Sequence, residues 1–244
     1  MTLGEGILFL LGIVLAIVII GVSLLLMNKA KVDNSSWIAT RFALTLVIWL
    51  STVSALSLAG WTSEWESFPP RVPLLLVIAT VTYVLVSSSQ VAKVALMVTP
   101  MWLPVLVQTM RIVVEIALWQ MHREGNVPVQ FTIEGRNFDL FIGLTAPLVA
   151  LGIGRKWIGS KTLVVWNFVG LAFLANAILT AATSSPGPQH LNWPGEPFTS
   201  IATWPLIWLP TFLAPTAIFL HVVSLRQCFV SRHIAKGSEG RASI

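Results

Sequence analysis

Gln108, Arg111, Glu115, Trp119 and His122 follow one another at intervals of three, four, four and three residues. On a helix of about 3.6 residues per turn, this spacing places all five on one face. The stretch from Met101 to Met121 is apolar enough to cross a bilayer, which puts Arg111 and Glu115 near its centre. A charge at that depth costs about 2.5–3.5 kcal/mol on insertion scales, so neither side chain faces lipid. Two chemistries fit such a stripe. One is an ion pair that fixes helix packing. The other is a site in which Arg111 attracts a polar or anionic group, Glu115 exchanges a proton or balances Arg111, and Gln108 shares the face.

The segment that follows adds three more charged candidates. From Val127 to Ile133 apolar residues alternate with Pro128, Gln130 and Thr132, the period of an extended chain, before a turn through Glu134, Gly135, Arg136 and Asn137 into Asp139. An extended segment on a membrane surface needs partners for its backbone, so it is expected to lie over the helices as a lid. That places Glu134, Arg136 and Asp139 above the stripe, with Arg136 and Asp139 gating access. The alternative is a solvated loop with Asp139 capping the next helix.

Secondary candidates are His221, His122 and Asn167. His122 falls at the outer end of the fourth span and His221 in the inner quarter of the last, too far apart to share a haem. His221 alone reads as a helix-to-helix hydrogen bond or, less simply, a metal or haem ligand. Asn167 and Asn176 are nine positions apart, on opposite faces of one helix, and each is expected to bond a neighbour.

These residues are positioned by a chain built for lipid. Of its 244 residues 55% are hydrophobic and 10% charged, against about 25% charged in soluble domains, and the mean hydropathy is +0.81. A water-soluble globule is excluded. Seven apolar spans are read: Ile7 to Met27, Ile38 to Gly60, Val72 to Ser88, Met101 to Met121, Asp139 to Gly154, Thr162 to Ala182 and Ile201 to Leu225. The expected fold is an all-α integral membrane bundle of seven transmembrane helices, residues 1–235, with an extended outer loop between the fourth and fifth. Residues 236–244 are expected to form a disordered cytoplasmic tail.

Charge sets the orientation. With the N-terminus outside, ten basic residues fall inside (Lys29, Lys31, Lys93, Arg155, Lys156, Lys161, Arg226, Arg232, Lys236, Arg241) and three outside (Arg71, Arg123, Arg136). This is the positive-inside pattern. It accounts for the net charge of +5 without nucleic acid. Glu5 ahead of a long apolar run reads as a retained first helix and not a cleaved leader. Tryptophans cluster near both predicted interfaces, while Trp49 and Trp166 lie deeper as packing residues. Ser89 to Pro100 reads as a short interfacial helix or a continuation of the third span. Pro147 interrupts the fifth span, and Pro205, Pro210 and Pro215 interrupt the seventh. Discontinuous helices line the binding sites of some transporters, although proline is also common in membrane helices with no such role.

Several chemistries are excluded. There is no HExxH, no GxSxG and no Walker lysine loop. The single cysteine, Cys228, rules out an internal disulfide framework and a Cys-based zinc site. The seventh span holds no lysine for a retinal Schiff base. No metal and no cofactor is expected. The runs QTMRIVVEIALW (Gln108 to Trp119), VPVQFTIEGRNFD (Val127 to Asp139), GLTAP (Gly143 to Pro147) and LHVVSLRQ (Leu220 to Gln227) resemble a group of uncharacterised bacterial polytopic membrane proteins of about seven helices. The resemblance covers about the second half of the chain. It implies a bacterial cytoplasmic (inner) membrane and carries no activity. The leading functional expectation is a small transporter or binding protein, not driven by ATP, for a small polar or anionic ligand. The alternatives are an intramembrane enzyme acting on a lipid or quinone with Glu115 or His221 as acid-base group, and an accessory subunit whose apolar faces bind other membrane proteins.

Overall fold

The structure, a computed structural model, describes the backbone of residues 1–242 and the side chains of residues 1–229. Its regular structure is helical, with no strand among the described residues. The helices are α1 (Leu3–Lys29), α2 (Ser35–Leu58), α3 (Arg71–Ser87), α4 (Gln90–Val98), α5 (Trp102–Val107), α6 (Met110–Arg123), α7 (Asp139–Gly154), α8 (Ser160–Ser184) and α9 (Ala214–Ala242). The side chains of the tail expected to be disordered, 236–244, and its last two residues altogether, lie outside the described residues.

Five helical stretches are long and apolar enough to cross a membrane: Leu3–Lys29, Ser35–Leu58, Trp102–Arg123, Ser160–Ser184 and Leu209–Phe229. Counting α3 and α4 as one bent span makes six, and α7 is a shorter apolar helix of 16 residues. Leu10, Ile17, Leu25, Ile48, Leu85, Leu148 and Val165 are exposed on these helices. Faces of that kind are stable in hydrocarbon and not in water. The protein is an integral membrane protein.

α1 begins at a capping box, with the Thr2 N–H donating to Glu5 Oε2 at 2.7 Å and the Glu5 N–H to Thr2 Oγ1 at 3.3 Å. It packs on α6 and α2. Glu124, just past the C-terminus of α6, is held below the ordinary carboxylate range, first by the Gln120 amide (3.0 Å) and then by Thr2 and the Leu3 and Gly4 N–H groups. An acid at the positive end of α1 is thus part of the α1–α6 contact. On the opposite side of the molecule Arg226 donates from Nη1 to Ser87 O and Oγ, both at 2.8 Å, and Gln227 donates to Thr99 O at 2.7 Å. These bonds satisfy carbonyls at the ends of α3 and α4 and tie both to α9.

Three elements depart from the sequence reading. The fourth span is broken: α5 and α6 meet at Gln108–Thr109, where N–H groups of Gln108, Thr109, Arg111 and Ile112 bond three residues back instead of four. The tightened turn follows the Pro104-containing segment α5. The last span does not begin at Ile201. Residues there make a 3-10 turn (Ser200–Ala202), then turns, then a π-helix (Leu209–Leu213) leading into α9. Pro205, Pro210 and Pro215 remove amide donors that a continuous α-helix needs. The segment Val127 to Ile133 is not one extended strand. It is a compact loop with a 3-10 turn at Val129–Phe131, flanked by extended Pro128 and Thr132, because Thr132 donates its N–H and hydroxyl back to Val129 O. The Ser89–Pro100 stretch is a separate helix, α4, set at 73° to α3.

α6 and α7 approach closely at Gly143, where a Cβ would lie 2.9 Å from the Ile112 backbone nitrogen and 3.3 Å from Arg111 Cβ. Gly143→Val is therefore expected to destabilise the protein by about 1–3 kcal/mol, the usual cost of overpacking. Gly21→Ala, at a position with open space around it, should be neutral or slightly stabilising. Unfolding midpoints in detergent compare the two. Equal midpoints would mean that the two helices do not touch there.

Candidate functional site

The break at Gln108 turns its side chain toward α9, where Nε2 donates to Ala217 O at 3.0 Å. One turn on, Arg111 is 2% exposed and Nη1 lies 3.5 Å from Asp139 Oδ1 in the first turn of α7. A further turn on, Glu115 is also 2% exposed, and its partner is the Asn137 amide, which donates to Oε1 at 2.7 Å. Arg111 therefore pairs with Asp139, while Glu115 is held from the loop. Glu115 Oε2 has no hydrogen-bond partner among the described residues. Three ionisable groups, one basic and two acidic, share this buried region.

Asn137 is the organiser that the sequence reading passed over. Its Nδ2 reaches Glu115, and its Oδ1 accepts the Asp139 N–H at 3.2 Å. One side chain thus fixes both carboxyl-bearing residues. The signal was present: an Asn two positions before the first residue of a helix is placed to bond the backbone two residues on. Asp139 is not the helix cap. It sits inside the first turn, and Phe138 at the cap position makes no side-chain cap bond. Its carboxylate is drawn to Arg111 and the Asn137 carbonyl takes the amide that a cap would serve.

The loop is anchored as a packed plug. Gln130, Thr132 and Asn137 are buried. Gln130 Nε2 donates to Ser184 Oγ at 3.2 Å, the Arg136 N–H to Gln130 O at 3.1 Å, and Asn176 Nδ2 to Arg136 O at 2.6 Å. Gly135 allows the loop to close on itself, since a Cβ there would lie 2.6 Å from Gln130 Cα. Glu134 and Arg136 are not in the buried cluster. Both are exposed: Glu134 accepts from Trp119 Nε1 at 2.6 Å, and the Arg136 guanidinium lies 5.3 Å over the Trp193 ring. His122 also stands apart, with Nδ1 donating to Val127 O at 2.7 Å to close the loop's first turn.

A second polar group joins α8 to α9. His221 Nδ1 lies 2.8 Å from Asn167 Oδ1, and Asn167 Nδ2 donates to Ser224 Oγ at 2.9 Å and Leu163 O at 2.8 Å. Because the amide NH2 is spent on those acceptors, the imidazole proton sits on Nδ1. The ring packs beside Trp166, with centroids 5.5 Å apart, and over Gly170, where a Cβ would come within 2.6 Å of Nε2. His221 is fully buried. Among the described residues no group of three or more His, Cys, Asp or Glu could hold a metal ion.

A cavity of about 110 Å³ opens beside the charge cluster, bounded by α3, α6, α8, the outer loop and the irregular segment before α9. Its walls are mostly apolar, among them Val72, Leu76, Leu118, Leu174, Ile178 and Leu209. Glu115, Asn137 and Asp139 line it; Arg111 does not. Ser185 and Gln189 add polar groups from the loop after α8. The guanidinium thus lies behind a carboxylate, and the cavity meets oxygen atoms and an amide.

Removing Arg111 leaves Asp139 buried without its counterion, so Arg111→Ala is expected to destabilise by about 3–5 kcal/mol. In double-mutant cycles followed by unfolding in detergent, Arg111→Ala should couple more strongly to Asp139→Asn than to Glu115→Gln. Equal coupling would assign Arg111 to both carboxylates.

The chain belongs to the family described as a domain of unknown function (DUF8737), which matches residues 70–229. The match starts beside α3 and takes in Gln108, Arg111, Glu115, Asn137, Asp139 and the His221 group, while α1, α2 and Trp65 of the cavity wall lie outside it. No curated protein and no solved structure matches the chain.

Proposed function

We propose that the protein is a small membrane transporter or binding protein, not driven by ATP, whose ligand enters the cavity beside Glu115. In this reading α7 is a seventh, short span, with α3 and α4 forming one bent span and its interfacial extension. The N-terminus is outside and the C-terminus in the cytoplasm of a bacterial inner membrane. The ten-to-three distribution of basic residues supports that orientation.

The observation that carries the proposal is Glu115 itself. It is a carboxyl group 2% exposed, inside a span, at the wall of a mostly apolar cavity, with one oxygen bonded and the other without a partner. An ionisable group retained at membrane depth marks a site by default, because it is costly to keep there for packing alone. An apolar chamber with a few convergent polar groups is the usual form of a small-molecule site. Asn137 and Asp139 supply the remaining contacts, and Arg111 acts from behind by holding Asp139. With two carboxyl groups on the wall and the guanidinium withdrawn, the geometry favours a polar ligand bearing N–H or O–H donors over an anion. Glu134 and Arg136 lie on the outer surface and act, if at all, on approach.

Mass spectrometry of small molecules released from the protein purified out of its own membrane tests the reading. The wild type is expected to retain a species lost from both Glu115→Gln and Ala181→Trp, which fills the cavity from its α8 wall, where Ala181 lines it, with each variant confirmed as folded by its unfolding midpoint. An identical set in all three proteins, or none in any, would overturn it.

A further inference from the structure

The charge count around the cavity is unbalanced in a specific way. Arg111 is one cation, and its ion-pair partner is Asp139 at 3.5 Å. The hydrogen-bond partner of Glu115 is neutral, the Asn137 amide; its second oxygen is buried without a hydrogen-bond partner among the described residues, and the residue lines the cavity. Asn137 is itself fully engaged, since its Nδ2 serves Glu115 and its Oδ1 holds the Asp139 N–H. Arg111 acts on Glu115 as well as on Asp139, but among the described residues this one guanidinium faces two carboxyl groups, so one positive charge is still missing. A lone carboxylate in an apolar interior is strongly disfavoured, and what completes it must bring a positive charge: a proton or a cation.

The shape of the chamber separates these two. Apart from Ser185 and Gln189, its walls away from the charge cluster are mostly apolar side chains, such as Val72, Leu76, Leu118 and Leu174 of α3, α6 and α8. A hydrated metal ion finds no oxygen cage there, since three His, Cys, Asp or Glu side chains converge nowhere among the described residues. An anion would meet two carboxyl groups, with the guanidinium behind one of them. A molecule with an aliphatic or aromatic body and one nitrogen that carries N–H donors matches both halves of the chamber.

We propose that the cavity takes a lipophilic amine as its ammonium form, with the nitrogen donating to the Glu115 carboxyl group and the apolar body against the α3, α6 and α8 walls. The inference rests on the reading of this cavity as a ligand site. Its chemistry balances by exchange. Without ligand, a proton on Glu115 supplies the missing charge; an incoming ammonium supplies it instead, and the carboxylic O–H releases that proton to solvent. One positive charge enters as one leaves. A carrier built on this step moves an amine in one direction against a proton in the other.

The test uses the full-length protein in nanodiscs with three probes of equal chain length, hexylammonium, hexanol and hexanoate, and reads thermal midpoint, apparent affinity and proton release to a pH dye in weak buffer. Hexylammonium is expected to raise the midpoint and to release one proton per amine bound, and hexanol and hexanoate to do neither. Glu115→Gln should weaken hexylammonium about thirtyfold or more, as loss of one partner of a buried charge pair does. Glu115→Asp, which keeps the charge, should recover part of it, and Ala181→Trp should abolish it. Two results overturn the amine assignment while leaving the cavity as a ligand site: tighter binding of hexanoate or hexanol that Ala181→Trp removes, or amine binding without proton release. Binding of all three probes that survives Ala181→Trp, or binding of none, overturns the amine assignment too, and the released-molecule comparison above then decides separately whether the cavity holds any ligand.

Discussion

The ion pair between Arg111 and Asp139 is the constraint around which the rest of the bundle is arranged. A guanidinium in the middle of an apolar helix must meet its counterion within the protein, because lipid offers none. Its 3.5 Å contact requires α7 to start beside α6 and not at the distance ordinary side chains impose. Gly143 supplies that approach, one turn into α7, where any Cβ would strike the Ile112 backbone. It also requires Asp139 to be inside the first helical turn, which leaves its own amide for Asn137 to accept. The loop from Val127 to Phe138 is folded tightly for the same reason: it has to deliver Asn137 and Asp139 two residues apart to two different groups on α6.

The irregular approach to α9 follows a matching rule. Non-helical backbone at membrane depth persists only where other protein groups satisfy it. Ala202 O accepts from Ser57 Oγ at 2.8 Å and from Thr62 Oγ1 at 2.7 Å, and Thr211 O accepts from Trp49 Nε1 at 3.0 Å. Ile201, Ala202, Leu206 and Ile207 are all buried. α2 and the turn after it therefore do for the proline-rich segment what a continuous helix would have done for itself. Because that segment cannot fill space as a regular helix does, its side of the bundle leaves room, and Ile201, Leu209 and Pro210 form part of the cavity wall.

The helices were legible in the sequence wherever hydrophobicity alone decided them. α7 runs over the residues read for the fifth span, and α1, α2, α3 and α8 lie within a few residues of theirs. What could not be read were the places where a local propensity met a tertiary partner. The alternation at Val127 to Ile133 has strand period, yet no neighbouring strand exists among the described residues to take its hydrogen bonds, and the loop bonds to itself. The helical spacing of Gln108, Arg111 and Glu115 survives the break at Gln108–Thr109, because the tightened turn leaves the three still directed into the protein. Glu134 and Arg136 are charged and adjacent in sequence to the cluster, but the turn at Gly135 carries them outward to Trp119 and Trp193. Asn137, an uncharged residue, gives no hydropathy signal, although its contacts hold the Glu115 carboxyl group and the Asp139 backbone.

A purely structural role explains part of this cluster and stops at a definite residue. Arg111 and Asp139 form an ion pair, Gln108 bonds the α9 backbone, and His221, Asn167 and Ser224 form an interhelical chain. Each of these could be retained to fix helix positions. Glu115 fits differently. An amide or a hydroxyl there could bond Asn137 equally well without bringing a second acid next to Asp139, and a leucine would fill the wall without any buried polar atom. The acidic group adds repulsion toward Asp139 and a buried oxygen without a hydrogen-bond partner among the described residues, both unfavourable for stability. Natural chains keep such locally unfavourable choices where function requires them. The boundary between scaffold and site therefore runs along α6 between Arg111, which holds the fold, and Glu115, one turn away, which faces the chamber.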